Sequence, residues 1–321
     1  MTEASGPSAP ASVSRGVALA MIVTAGACWG LAAVIAKIAF DRGVPPVRMA
    51  EARVIVALTF LFAVLAWRKR DLLRPPPGSI PVLVAFGLFV AGVNASYYIA
   101  IDRLPVGVAI SLQYTAPTLL LGTIAFRRRR RGRDGDGFGG AAWIAAACTL
   151  AGAILVSRAY AGLHGVSASG VLAGVASAVF FALYLLGADR AGRRRVPPAT
   201  LLLWGFVFAT LAWGVASPLW SWPWGKLADV HVALAVMGVG LQGTLLPFFL
   251  AVTAIPVLTP ALAGIAATVE PPFAAGFAWI LLGQHLGLVQ VAGGILVLLG
   301  VALAQRVSAP SPEAMAVEPS R

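Results

Sequence analysis

Glu270 lies near the centre of a long apolar run, residues 257–282, and is followed directly by Pro271 and Pro272. In the middle of a bilayer an ionised carboxylate is costly unless it is paired, hydrated or protonated, and such residues mark a functional path by default. The chemistry Glu270 offers is proton exchange or pairing with an amine; the plainer alternative is a protonated side chain hydrogen-bonded to a neighbouring helix. Around it stands a polar and aromatic set that can build a binding surface: Trp29, Asn94, Tyr97, Tyr98, Gln113, Tyr114 and Gln242. An amide in an apolar helix seeks a partner, which turns Asn94, Gln113 and Gln242 towards the interior. Aromatic residues at span ends mark the membrane boundary, but Trp29 and Tyr114 are central and are expected to line a cavity. The candidate substrate-binding residues are therefore Trp29, Asn94, Tyr98, Gln113, Tyr114, Gln242 and Glu270. Lys37 and Glu51, near the outer ends of adjacent antiparallel spans, read as structural: they can form a mutual ion pair, or Lys37 can snorkel to the interface. Arg53, slightly deeper, serves either helix packing or gating. Trp220, Trp222 and Trp224 are expected to form an aromatic belt.

Other chemistries find little footing. His164, His231 and His285 are scattered rather than spaced as metal ligands. Cys28 and Cys148 both fall inside apolar runs and read as small apolar residues, with no disulfide framework or zinc spacing. A phosphate-cradling G-x-x-x-x-G-K-S/T segment is missing, so ATP is not the direct energy source within this chain. A catalytic site needs two converging acids or a nucleophile with its base, and the apolar runs offer one clear acid. The expectation is a protein that is not an enzyme and holds no cofactor and no metal.

The elements that position these residues follow from composition. Of 321 residues, 59% are hydrophobic and only 11% charged, against about 25% charged in soluble domains. Ten apolar spans can be placed, at about 16–40, 47–67, 79–101, 105–126, 138–157, 170–187, 199–220, 231–254, 257–282 and 286–304. The first is too long for a signal-peptide core and is expected to stay as an anchor. Loops 68–78, 127–137 and 188–198 fall on one side. They carry Arg68, Lys69, Arg70 and Arg74, then Arg127 to Arg131 and Arg133, then Arg190, Arg193, Arg194 and Arg195. With Arg15, Arg306 and Arg321 of the tails, seventeen basic residues oppose five on the other side, Arg42, Arg48, Arg103, Arg158 and Lys226. That bias places both termini in the cytoplasm. It also explains the net charge of +12 without a nucleic-acid partner, because the arginines sit in loops and not along a helix face. Residues 1–15 and 307–321 read as disordered cytoplasmic tails.

The chain is written twice. Tyr97 and Tyr98 precede a short segment ending at Pro105 and an apolar run broken by Pro117; Phe248 and Phe249 precede a segment ending at Pro256 and a run broken by Pro271 and Pro272. Val44-Pro45-Pro46 matches Val196-Pro197-Pro198, and Gly152 with Arg158 matches Gly300 with Arg306. The copies are residues 16–158 and 170–306. Five spans per copy is odd, so the second inserts upside down, and broken helices at corresponding places in the two halves point to a binding site near the midplane. Gly26-xxx-Gly30 and Gly170-xxx-Gly174 read as close-packing motifs.

Further features carry a family resemblance: Trp29-Gly30, Arg53 in the second span, and Ala109 to Pro117 in the fourth. In the second copy they are Ala263 to Glu270-Pro271, Leu281-Leu282-Gly283, and Gly293-Gly294 to Gly300. Their order resembles the EamA-type members of the drug/metabolite transporter superfamily, over residues 16 to 305. Gln284 stands where members usually carry Glu. The resemblance implies an all-α polytopic membrane protein, with ten transmembrane helices as two inverted five-helix repeats. It implies a secondary transporter of the bacterial inner membrane that exports amino acids or related small polar metabolites by alternating access. The partners expected are a small-molecule substrate and the lipid bilayer, with proton coupling left open, no nucleic acid and no obligate protein partner. The alternatives are a facilitator for a neutral metabolite, or a non-transporting membrane scaffold or integral-membrane enzyme.

Overall fold

A backbone in lipid must pair its N–H and C=O groups within itself, which makes every apolar run here a helix. The computed structural model describes residues 13–104, 106–130, 140–162, 167–216, 218–283 and 285–307. The tail residues 1–12 and 308–321, Pro105, Arg131, Arg133, His164 and Gln284 lie outside the described residues. The first repeat holds α1 (Arg15–Asp41), α2 (Pro46–Arg68), α3 (Ile80–Arg103), α4 (Val106–Gln113), α5 (Ala116–Arg130) and α6 (Gly140–Val156). The second holds α7 (Ala168–Arg193), α8 (Pro198–Ala216), α9 (Val230–Gly240), α10 (Leu246–Leu258), α11 (Pro260–Ala267), α12 (Glu270–Leu282) and α13 (Leu288–Val307). A π-turn, Leu241–Leu245, carries α9 into α10. No strand occurs among the described residues.

Helices begin where something answers their unpaired first N–H groups. Ser14 accepts from Val17 N and Asp229 from His231 N; α2 and α11 open on Pro46 and Pro260, which lack that donor. Seven segments among the described residues are long and apolar enough to cross a membrane: α1, α2, α3, α7, α8, α9 with α10, and α11 with α12. The shorter apolar helices α6 and α13 add two, and α4 with α5 makes the tenth crossing.

The packing repeats as the duplication requires. α1 lies against α9 and α10 as α7 lies against α3; α3 meets α8 as α9 meets α2. Two pairs map onto themselves, α2 with α8 and α6 with α13. The α6–α13 pair closes backbone to backbone. A Cβ on Gly152 would stand 2.6 Å from the Gly293 carbonyl oxygen, and one on Gly300 2.9 Å from that of Ala145.

The end of the bundle where α1 and α3 finish is here the upper end. Two connections are tied together there: Lys226 Nζ donates to Arg42 O at 3.0 Å, Trp222 Nε1 to Arg48 O at 3.2 Å, and Arg42 pairs with Asp229 at 3.1 Å. The His231 backbone N–H, then the Arg42 charge, hold the Asp229 carboxyl below its ordinary range. Trp222 is buried by this tie, whereas Trp220 and Trp224 are exposed, so only two of the three tryptophans are placed as a belt would be. The mutual Lys37–Glu51 pair does not form. Lys37 takes Asp41 one turn away at 2.8 Å, and Glu51 takes Arg48 at 3.0 Å. Partners three and four residues apart on one helix are the nearer choice.

Candidate functional site

In each repeat the fourth crossing is two half-helices, and the two breaks face each other. α4 stops at Gln113 and α5 starts at Ala116, with Pro117 in its first turn; α11 stops at Ala267 and α12 starts at Glu270, with Pro271 and Pro272 in its first turn. Proline is tolerated there because those N–H groups have no helical partner anyway. The break therefore falls before Glu270, not after it, and sets the carboxylate at the positive end of the α12 dipole. From the other repeat's break, Tyr114 donates its hydroxyl to Glu270 Oε2 at 2.6 Å. One hydrogen bond thus spans the pseudo-two-fold.

Two small residues of α1 let it press against this junction. A Cβ on Gly30 would lie 2.7 Å from Ala274 N and 3.0 Å from Glu270 O, and one on Gly26 3.5 Å from Ala267 O. The close-packing motif read in α1 is thus what positions the carboxylate.

Between the repeats lies a cavity of about 350 Å³. Six of the seven candidate residues, Trp29, Asn94, Tyr98, Gln113, Tyr114 and Glu270, are on its wall. Each is held by its own contacts. Trp29 meets Phe248 edge-on at 5.7 Å, and Tyr114 meets Phe181 at 5.9 Å. Asn94 Nδ2 donates to Val90 O at 2.7 Å, and Gln113 accepts from Ser177 Oγ at 2.6 Å. Gln242 is elsewhere. It sits in the π-turn, donates to Cys28 O at 3.0 Å, and borders a separate apolar groove with Phe60, Leu245 and Phe249. The extra residue of a π-turn rotates the register of the helix, which a 3.6-residue reading does not anticipate.

Arg53, Tyr97, Phe181, Tyr184 and Phe248 also line the cavity. Tyr97 and Phe248 were marked by the repeated aromatic pair, while Tyr184 and Phe181 sit in an apolar run with no local signal. Arg53 Nη1 donates to Tyr98 Oη at 3.4 Å, and its guanidinium lies 6.0 Å from that ring's centre. Its Nε is buried with no hydrogen-bond partner. The site therefore has a guanidinium on its α2 wall and a carboxyl group on its α12 wall, with aromatic faces between them.

The cavity runs towards the upper end, where Lys37 and Phe40 border it. Below Glu270 the half-helices α5 and α11 pack directly, with Pro117 3.1 Å from where a Gly264 Cβ would be. Above it α4 lies on α7 and α12 on α1. This is a solute-sized chamber open at one end and shut at the other. Among the described residues no His, Cys, Asp or Glu cluster is arranged to hold a metal.

Among known proteins, the profile of the EamA-like transporter family matches residues 16–158 and again 168–305. The threonine/homoserine exporter RhtA of Salmonella typhimurium is 26% identical over 214 residues, and that of Escherichia coli 25%. Each match spans 65% of this chain and 65% of the relative's own length. A solved crystal structure 20% identical in sequence covers 92% of this chain and 100% of its own, with a TM-score of 0.73, and shows the same fold.

Proposed function

The chain belongs to the EamA-like transporter family; on that premise we propose that it is a multi-pass membrane transporter that exports amino acids or related small polar metabolites across the bacterial inner membrane. The observation that carries this reading is the chamber shared by the two broken crossings, where Tyr114 of one repeat meets Glu270 of the other. The name of the two relatives, threonine/homoserine exporter, supports an amino-acid substrate. With both termini in the cytoplasm, the upper end faces outward and the chamber opens to that side. Opening to the other side requires α5 and α11 to part while their symmetry mates α12 and α4 meet.

In this reading Trp29, Asn94, Tyr98, Gln113 and Tyr114 surround the solute, and Glu270 either pairs with its amine or exchanges a proton during the cycle. The charged and titratable groups lining the chamber with Glu270 are Lys37 from α1, Arg53 from α2, Tyr97 and Tyr98 from α3, Tyr114 from the first break and Tyr184 from α7.

The test is counterflow of labelled threonine in proteoliposomes, with amino acids, amines and sugars as competitors. Saturable flux competed by amino acids is expected, and Glu270→Gln should flatten its pH profile or weaken amine-bearing competitors by about tenfold or more. Flux of a neutral solute with a wild-type pH profile in Glu270→Gln would favour a facilitator with a structural Glu270. No saturable flux of any solute would favour a scaffold.

A further inference from the structure

Arg53 and Glu270 face one small chamber without forming an ion pair with each other. Among the described residues no carboxylate comes within the 4.0 Å of an ion pair with Arg53, and its one hydrogen bond is the long contact to Tyr98. Its Nε is buried and unpartnered. Glu270 is engaged at Oε2 by a neutral hydroxyl only. Both side chains are half-buried on the chamber wall, and a partly desolvated charge gains by meeting an opposite charge with hydrogen bonds in good geometry. Two such charges of opposite sign on facing walls call for a molecule that carries both complementary charges close together.

We propose that Arg53 and Glu270 are the two poles of a zwitterion site: Arg53 takes the α-carboxylate of an amino acid and Glu270 its α-ammonium. This rests on the amino-acid reading above and assigns the substrate's orientation within it. A guanidinium suits this task because its planar fork meets a carboxylate with two parallel bonds. Tyr98 and Tyr114 stand beside the two poles as neutral groups that orient the Arg53 and Glu270 side chains. The aromatic walls of Trp29, Phe181 and Phe248 are left to the side chain. A bare amine or a bare acid would answer one pole and leave the other exposed to the low-dielectric interior. The site therefore rejects both, since groups built to be paired discriminate strongly against a ligand that leaves them unpaired.

The experiment is equilibrium binding of L-threonine, L-threonine methyl ester and N-acetyl-L-threonine to the purified full-length protein in detergent. The wild type should prefer threonine over either analogue by about tenfold or more, the effect of one charge-assisted pair. Arg53→Gln should weaken threonine by a similar factor and leave the methyl ester near its wild-type affinity. Glu270→Gln should do the same with the N-acetyl compound. Arg53→Lys keeps the charge but loses the fork, so it must retain part of the preference for threonine over the ester, which serves should the Gln variant not fold. Equal weakening of threonine and ester in Arg53→Gln, or a lost preference in Arg53→Lys, would overturn the assignment of poles while leaving an amino-acid carrier intact. A wild type that binds no amino acid would overturn the assignment and the amino-acid reading together.

Discussion

Tyr114 and Glu270 meet through one hydroxyl proton, so the smallest edit to the chamber is the removal of that single oxygen. Tyr114→Phe keeps the ring against Phe181 and deletes only the donor to Glu270 Oε2. Losing a hydrogen bond to a charged group costs about 1.5–3 kcal/mol, so the melting temperature should fall by a few degrees while the protein still inserts and purifies, and counterflow should slow by roughly tenfold because Glu270 is no longer oriented towards the solute. Unchanged flux with reduced yield would make Tyr114 a packing residue. At this scale the sequence was legible where polarity and proline coincide. Glu270 and Tyr114 stand out because a charge and a phenol beside a proline in an apolar run have few uses other than a cavity. Arg53 was ambiguous, because a position along a span says nothing about which way the side chain turns. Lys37 and Glu51 do form ion pairs, but not with each other, because each has a partner within one turn of its own helix.

The half-helices owe their placement to the glycine face of α1. Gly30 lies so near the start of α12 that an added Cβ would meet backbone atoms, which cannot swing aside as a side chain can. Gly30→Ala should therefore cost about 1–3 kcal/mol, the usual penalty of overpacking. A melting temperature lowered by several degrees in detergent, together with impaired counterflow, is the expected result; an unchanged melting temperature would mean the contact is loose. The small-xxx-small spacing announced close packing but not its partner, since spacing on one helix carries no information about the other. The break in the ninth crossing was legible from the prolines. Its side relative to Glu270 was not, because proline is equally compatible with ending one helix and with opening the next. The π-turn left no mark in the apolar pattern, and with it went the placement of Gln242.

For the whole molecule the readable quantity was symmetry. Paired motifs about 150 residues apart fixed two five-crossing repeats, and the packing of α1 on α9 and α10, mirrored by α7 on α3, is the same statement in space. Orientation in the membrane follows from the arginine loops and is checked by single cysteines in a background lacking Cys28 and Cys148. Cysteines at Arg74 and Arg194 should resist an impermeant thiol reagent added to intact cells, and one at Tyr160 should react; the reverse pattern would invert the protein and turn the present chamber towards the cytoplasm. The α6–α13 pair has a consequence of its own. Because these helices exchange places under the pseudo-two-fold, their mutual contact is common to the outward and inward conformations. A side chain added at Gly152 burdens both states alike, and a perturbation equal in two states changes neither population. Damage there lowers the amount of folded carrier but leaves the turnover of each surviving molecule untouched. Damage at Gly30, off the axis, biases the balance between the two states as well, so two glycine contacts of similar closeness separate abundance from rate.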